Sequence, residues 1–378
     1  MLSRYLAGAT AARTGDEMSG PALLLLGLAA TGSPVTASAL LAGLTASSAI
    51  GGPVFGTVLD RSRRPGRLLA VTLAAYALGL SAIVATLGHV PTAAVVALAV
   101  LTGLFNPAIA GGWTAQLPHG RDLSRTTALD ALTYSFASLT GPAFAALIAG
   151  WLGAGTALAT AVGLVVLALP SAWSLPAGTP HTGKTSWTAG FTAIFAHRPL
   201  LRATVASTVS YVGVGMFVVC LPLIGEQRFG AATLGTLLLT VVAVASLLAN
   251  GFLARKPWPW RPDTLLLCST FVLAASYALA ALPGPAIVFA AALSGIGEGP
   301  QLVALMGIRH REAPTALRGR VFTTGASLKV TGFALGSALA GPLAGHSVTM
   351  CLWVAAAIGL VAGASGLALR TPSPARAA

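Results

Sequence analysis

Apolar stretches of about 20 residues recur along the whole chain, and short polar segments separate them. A stretch of that length crosses the roughly 30 Å hydrocarbon core of a bilayer as an α-helix, which satisfies its own backbone hydrogen bonds where no water is available. The pattern therefore predicts an all-α integral membrane protein. Its twelve predicted spans are 5–31, 36–58, 68–88, 92–114, 127–152, 154–174, 199–223, 231–254, 263–283, 285–307, 321–344 and 348–369.

The composition supports the same class. Hydrophobic residues make up 55% of the 378 positions and charged residues only 8%, against about 25% charged in ordinary soluble domains. The N-terminal apolar region contains Arg13, Asp16 and Glu17, and no small-residue cleavage pattern follows it. We therefore interpret it as a retained first span rather than a signal peptide.

The positive charges alternate between the two sides of the predicted membrane. If both termini lie on one side, 19 of the 22 lysines and arginines share that side, Arg228 lies opposite, and Arg13 and Lys329 lie within spans. This asymmetry follows the positive-inside rule, so it predicts a multi-pass protein of the cytoplasmic membrane with both termini in the cytoplasm. The net charge of +13 thus reflects topology rather than a nucleic-acid-binding face, and no nucleic acid partner is expected.

The longest polar interval, at 176–199, divides the chain nearly in half. Many transporters consist of repeated bundles with the substrate site between them, so we expect two pseudo-symmetric six-helix bundles. The predicted division is a first bundle at 1–174, a cytoplasmic linker at 175–198 and a second bundle at 199–378.

A weak internal repeat supports the two bundles. The pair Gly141-Pro142 in the fifth span recurs as Gly341-Pro342 in the eleventh, an offset of 200 residues. Glycine and proline are common in membrane helices, where they allow close packing or a kink. We interpret both pairs as helix-packing positions.

The loop between the second and third predicted spans, "GTVLDRSRRPGRL", concentrates four arginines and one aspartate. Gly56, followed four residues later by Asp60-Arg61 and then by Arg64 and Arg67, resembles the loop motif of the major facilitator superfamily. The resemblance implies a twelve-helix transporter in which this loop is a cytoplasmic gate, with the aspartate near the start of the eleventh helix and the arginines near carboxylates at helix ends. The alternative is that the arginines only anchor the topology beside anionic lipid.

Three charged residues in the first span are the main candidates for chemistry. A charge at the bilayer centre costs on the order of 2.5–3.5 kcal/mol on the insertion scale, so Arg13, Asp16 and Glu17 must face protein or a water-filled cavity. Arg13 precedes the two acids by three and four residues and can reach either one on a helix. The other acid is left to hold a proton, bind a cation or find a partner elsewhere; a purely structural ion-pair network is the alternative.

Two further charges lie within later spans, Glu298 in the tenth and Lys329 in the eleventh. Either they form a structural salt bridge, or they line a cavity where they serve substrate charge or proton coupling. Tyr134 and Tyr211 are candidate aromatic walls of such a cavity, with ordinary packing as the alternative.

Together these features predict a secondary active transporter that works by alternating access. The "LAATGSP" segment and the "GPALLLLGL" run resemble those of bacterial drug and metabolite exporters. This resemblance and the unpaired acid favour proton-coupled efflux of a small amphiphilic compound, and a cation is expected because the pair on the first span is anionic. The proton gradient is the expected energy source, so no cofactor is predicted, and the expected partners are substrate, protons and membrane lipid around a monomer.

Three other function classes remain open. An enzyme is disfavoured, because the histidines do not cluster at one membrane depth and the three cysteines lack metal-ligand spacing, so we predict no catalytic residue and no metal site. An importer or uniporter of a small metabolite would have the same fold. A transport-inactive membrane sensor is the third possibility.

Overall fold

The computed structural model describes residues 2–109, 111–114, 116, 123–176, 188–255, 261–314 and 317–369, and no β-strand occurs among them. The first half contains α1 (Leu2–Thr31), α2 (Pro34–Ala46), α3 (Ser48–Arg61), α4 (Pro65–Thr86), α5 (Thr92–Gly103), α6 (Gly111–Thr114), α7 (Leu123–Leu152) and α8 (Ala154–Trp173). After the short α9 (Ala189–Ala196), the second half contains α10 (Arg198–Phe229), α11 (Ala232–Arg255), α12 (Pro262–Ala280), α13 (Ala286–Glu312), α14 (Arg318–His346) and α15 (Val348–Ala368).

These helices make twelve membrane passages within the described part of the chain. Ten stretches are long and apolar enough to span a bilayer; α1 and α14, which carry Arg13 and Lys329, complete the set. Two predicted continuous spans are interrupted. The second span bends at Ser47, between α2 and α3. In the fourth span, the helix ends at Gly103, and a 3-10 turn follows at Asn106–Ala108. Pro107 explains the latter break, because its ring clashes with the carbonyl four residues earlier and it donates no backbone hydrogen bond.

Each half of the chain has its own apolar core. One cluster of buried side chains runs from Tyr5 to Ala172 and draws only on the first half. A second runs from Val214 to Ala356 and takes in only Leu24, Ala37 and Leu41 from the first half. The fold is therefore an all-α membrane protein with twelve spanning helices in two pseudo-symmetric bundles.

An ion-pair network joins three helix ends on one face of the molecule. Asp263, at the start of α12, pairs with Arg202 near the start of α10 and with Arg311 at the end of α13, the latter at 2.9 Å. We call this the basic face, because successive passages alternate in direction and bring the α3–α4 loop with Arg64 and Arg67 to it as well.

The two halves meet chiefly along two helix pairs, α2 with α14 and α7 with α11, and α3 also contacts α14. At the face opposite the basic one, α14 lies so close to α2 that a Cβ added at Gly341 would collide with the Ser38 hydroxyl and lie 2.9 Å from the Val35 Cα. At the same face, Gly150 of α7 approaches Thr233 of α11, with an added Cβ 3.7 Å from its hydroxyl oxygen. The halves thus contact each other at the ends of these helices.

Replacing Gly341 with alanine is expected to destabilise the protein by about 1–3 kcal/mol, the usual cost of overpacking. The Ser38 hydroxyl can rotate away, but the Val35 backbone cannot, so α14 must separate from α2. The measurement is the thermal unfolding midpoint of the purified protein in detergent.

Gly345→Ala is the matched control, one turn later in the same helix. A Cβ there meets nothing within 4 Å, and the intrinsic gain in helix propensity is the same for both substitutions. Equal midpoints for the two variants would show that the α2–α14 contact at Gly341 does not hold the halves together.

Candidate functional site

Arg13 pairs with a carboxylate that the sequence reasoning did not assign to it. Its guanidinium lies 2.8 Å from the Asp130 carboxylate of α7, and the two side chains are only 2% and 5% exposed. It also donates to the backbone carbonyl of Asp130 at 3.0 Å and to the Thr133 hydroxyl. The expectation that Arg13 reaches Asp16 or Glu17 on its own helix was therefore wrong, because the carboxylate and carbonyl of Asp130 and the Thr133 hydroxyl on α7 accept from its guanidinium instead.

Further side chains surround this ion pair, and we call the whole group the Arg13 cluster. The charges of Arg13 and Asp130 neutralise each other inside the first bundle. The Tyr5 hydroxyl donates to the Asp130 carboxylate at 2.8 Å, and Thr114 bridges it to Arg13 with hydrogen bonds of 3.0 and 2.9 Å. The Tyr134 ring packs against the guanidinium, 3.6 Å from ring centroid to Cζ. Arg13 and Tyr134 thus belong to one network, and the role of Tyr134 as a cavity wall stays a prediction.

Asp16 lies in a separate hydrogen-bond network within the first bundle. Its carboxylate accepts from the Tyr76 hydroxyl at 2.8 Å and from the Asn106 amide. Ser19 contacts the same tyrosine hydroxyl at 3.0 Å. The break in the fourth passage places Asn106 for this contact, since the chain leaves the helix there. Two neutral donors hold the Asp16 carboxylate, and it forms no ion pair with any described residue.

Glu17 faces α7 at the point where that helix comes closest to α1. It accepts a hydrogen bond from Ser138 at 3.1 Å. One turn further along α7, a Cβ added at Gly141 would lie 2.6 Å from the Glu17 Cβ and 2.9 Å from its backbone carbonyl carbon. The glycine of the Gly141-Pro142 pair therefore allows the close approach that brings α7 against Glu17, which is partly exposed and forms no ion pair with the described residues.

In the second half, two glycines fix how α14 lies against α10. Cβ atoms added at Gly332 and Gly336 would collide with the backbone carbonyls of Thr208 and Val212. In this register Lys329, one turn before Gly332 and 8% exposed, reaches the Tyr211 ring, with 3.7 Å between its Nζ and the ring centroid. A cation over an aromatic face is attracted by the ring quadrupole.

Glu298 of α13 lies near this lysine without a direct salt bridge. The only hydrogen bond to its carboxylate from the described residues comes from Ser294 of its own helix, at 3.1 Å. Its charge acts on Lys329 at longer range. The salt-bridge alternative for this pair is therefore wrong, and both charged groups remain available to a ligand.

Tyr211 interacts with charged groups from both halves of the chain. The charges of Glu17 from the first half and Glu298 from the second both act on its side chain, while Lys329 lies over its ring. We call these four residues the Tyr211 site. It contains two acids, one lysine and one tyrosine, contributed by α1, α13, α14 and α10, so it draws on both halves of the chain.

Several polar side chains in these networks escaped the sequence reasoning. Asp130 lies near the start of the fifth predicted span, and nothing in its local sequence points to Arg13. Tyr76, Asn106 and Ser138 lie in otherwise apolar segments, so a polar residue within a span was the only available signal. Tyr277 of α12 is similar: its buried hydroxyl has no partner among the described residues, and the Glu298 charge acts on it.

The predicted gate lies partly outside the described residues. The burial of Gly56 and the side chains of Asp60 and Arg61 are among the features not described. Arg64 and Arg67 are exposed, and Arg67 lies over the Trp173 ring at 5.1 Å. The gating role of this loop stays a prediction. Within the described residues, no three His, Cys, Asp or Glu side chains converge as metal ligands would.

Comparisons with known proteins agree on the class of this chain. Residues 5–328 match the family model of the Major Facilitator Superfamily. The uncharacterized MFS-type transporter y4rN of Sinorhizobium fredii (strain NBRC 101917 / NGR234) is 26% identical, over 97% of this chain and 94% of that one.

Solved structures show the same fold at low sequence identity. A crystal structure of the nucleoside transporter NupG superposes with a TM-score of 0.79 at 13% identity, covering 97% of this chain and all of that one. An auto-inhibited POT family peptide transporter gives 0.77 at 12% identity, covering 100% and 98% of the two chains. A POT family transporter in complex with 5-aminolevulinic acid gives 0.76 at 11% identity, covering 97% and 94%. The chain belongs to the Major Facilitator Superfamily.

Proposed function

We propose that this transporter exports a small amphiphilic cation in exchange for protons, and that the acids of α1 are the exchange site. The observation that carries the proposal is the pairing of Arg13 with Asp130. Because that pairing uses the one cation of α1 near the acids, Asp16 and Glu17 form no ion pair with the described residues. Ionised, they would place two uncompensated negative charges within the membrane.

Such a site must bind positive charge in one form or another. A carboxylate within the bilayer is costly unless it is protonated or paired. Glu17 has one hydrogen-bond donor among the described residues, Ser138, and its charge acts on Tyr211 of the other bundle. A proton and a cationic substrate would therefore compete for the same carboxylate, and occupancy by one would exclude the other.

Because the site holds either a proton or the substrate, movement of one is coupled to movement of the other. A transporter that changes conformation only when the site holds either a proton or a substrate exchanges one for the other across the membrane. With the basic face in the cytoplasm, as the positive-inside rule favours, protons entering from outside would displace the cation outward. The proton gradient would drive export by a monomer embedded in the cytoplasmic membrane, without a cofactor.

The test is the uptake of a fluorescent lipophilic cation into inverted membrane vesicles that contain the protein and carry an imposed pH gradient. We expect uptake by the unaltered protein that collapses when a protonophore is added. The double variant Asp16→Asn, Glu17→Gln, at equal abundance in the membrane, is expected to show only the background of protein-free vesicles.

Other outcomes separate the competing functions. Gradient-dependent uptake that survives in the double variant would rule out the acids of α1 as the exchange site and leave Glu298 as the next candidate. Cation accumulation only in right-side-out vesicles would favour an importer with the same fold. No movement of the cation in either orientation would contradict a cationic substrate.

A further inference from the structure

We propose that the substrate also carries an anionic group, which binds to Lys329 in the second bundle, so that the transported compound is a small zwitterion. The inference rests on the proposed function for the cationic end of the substrate, which the acids of α1 would bind. It adds a second subsite of opposite sign on the other side of the Tyr211 site.

The Lys329 ammonium lacks a strong partner. It lies over the Tyr211 ring, but it has no hydrogen bond or ion pair with the described residues. A lysine that is only 8% exposed and satisfied by one aromatic face has open hydrogen-bonding capacity, since an ammonium can donate three hydrogen bonds. A carboxylate or phosphate would use that capacity.

A second buried cation lies beside it. Arg309 of α13 is 1% exposed, and none of its three guanidinium nitrogens has a hydrogen-bond partner among the described residues. The guanidinium packs directly against Gly325 of α14. Gly325 precedes Lys329 by four residues, so the two positions share one face of the helix, and the Arg309 charge acts on Lys329.

The charges on this side of the site do not balance. Lys329 and Arg309 contribute two positive charges, and Glu298 contributes one negative charge that forms no direct pair with either. Like charges buried close together repel each other and lack the hydration that would screen them. An anionic substrate group beside Lys329 would relieve this repulsion, with Arg309 strengthening the field rather than touching the ligand.

The two sides of the Tyr211 site thus have opposite net charge. Glu17 makes the α1 side negative, while Lys329 and Arg309 outweigh Glu298 and make the α13–α14 side positive. Tyr211 lies between them, within the field of Glu17 and under the ammonium of Lys329. A small molecule with a positive and a negative group would complement both sides at once, and binding it would draw the two bundles together.

The test uses probes that differ only in charge. Three scaffolds are compared: phenylalanine, leucine and 6-aminohexanoic acid, each as the free zwitterion, as the amide (cation only) and as the N-acetyl derivative (anion only). Dissociation constants for the purified protein in detergent come from the concentration dependence of the melting temperature. We expect at least one zwitterion to bind about tenfold or more tightly than both of its singly charged derivatives.

Variants then show which residue binds the anionic group of the substrate and which binds the cationic group. Lys329→Met is expected to remove the preference for the zwitterion over the amide, mainly by weakening binding of the zwitterion, because the amide has no anionic group for the lysine to bind. Lys329→Arg, which keeps the charge, should restore most of that preference. Glu17→Gln should remove the preference over the N-acetyl derivative instead.

The outcomes also distinguish this inference from the proposed function. If no zwitterion on any scaffold binds more tightly than its amide, the anionic subsite is wrong even where the amide is exported against a pH gradient. If Lys329→Met weakens zwitterion and amide equally, the lysine has a structural role and the subsite is likewise wrong. A zwitterion preference that depends on Lys329, without proton-coupled movement in vesicles, would support the subsite and contradict the coupling.

Discussion

Replacing Arg13 with glutamine is expected to lower the free energy of unfolding by about 3–5 kcal/mol, the usual cost of removing one partner from a buried ion pair. The substitution leaves Asp130 charged in a site that is almost fully enclosed. It also removes hydrogen bonds to Thr133 and Thr114 and the contact with the Tyr134 ring. The measurement is the unfolding midpoint of the purified protein in detergent, followed by circular dichroism.

Variants of Asp130 show whether the loss of stability comes from breaking the Arg13–Asp130 ion pair. Asp130→Asn should destabilise the protein to a similar extent, because it leaves the guanidinium without its counter-charge. The double variant Arg13→Met, Asp130→Leu should lose clearly less than the sum of the two single losses, since neither charge remains. A double variant that loses the full sum would mean that Arg13 and Asp130 stabilise the bundle independently.

Replacing Glu17 with glutamine is expected to reduce gradient-driven cation uptake to the background of protein-free vesicles, whereas Asp16→Asn should retain measurable uptake. The difference follows from the surroundings of the two acids. Asp16 is held within the first bundle by Tyr76 and Asn106. The charge of Glu17 acts on Tyr211 of the second half. The initial rate of uptake into inverted vesicles measures both variants.

Ser138→Ala provides the matched control for Glu17. It removes the one hydrogen bond from the described residues to that carboxylate and leaves its charge intact, so uptake should persist with an altered dependence on pH. Equal loss of uptake in Glu17→Gln and Asp16→Asn would contradict the division of roles, and loss in Asp16→Asn alone would reverse it.

The fold could be predicted from the sequence because the bilayer constrains it strongly. The length of each apolar stretch, the alternation of positive charge and the loop motif after the second span each point to the same twelve helices. What the pattern could not predict was the local break after Gly103, where Pro107 competes with an otherwise continuous apolar run.

The candidate site was only partly predictable, because sequence spacing informs about contacts within a helix and not between helices. Arg13 stands at a favourable distance from two acids along α1, yet its guanidinium reaches Asp130 on α7, 117 positions away. The influence of the Glu17 charge on Tyr211 depends on how the bundles pack. Glycines such as Gly141 and Gly336 set those distances, and in the sequence they resemble every other small residue in an apolar span.

The measurement that tests the central claim most directly is the number of protons released when the cation binds. The purified protein in weakly buffered detergent solution receives the lipophilic cation used in the vesicle experiments, and a pH-sensitive dye reports the change. Because proton and cation compete for one carboxylate, we predict release of about one proton per bound cation from the unaltered protein, at a pH where Glu17 is protonated, and none from Glu17→Gln. Binding without proton release, or the same release from the variant, would contradict exchange at Glu17.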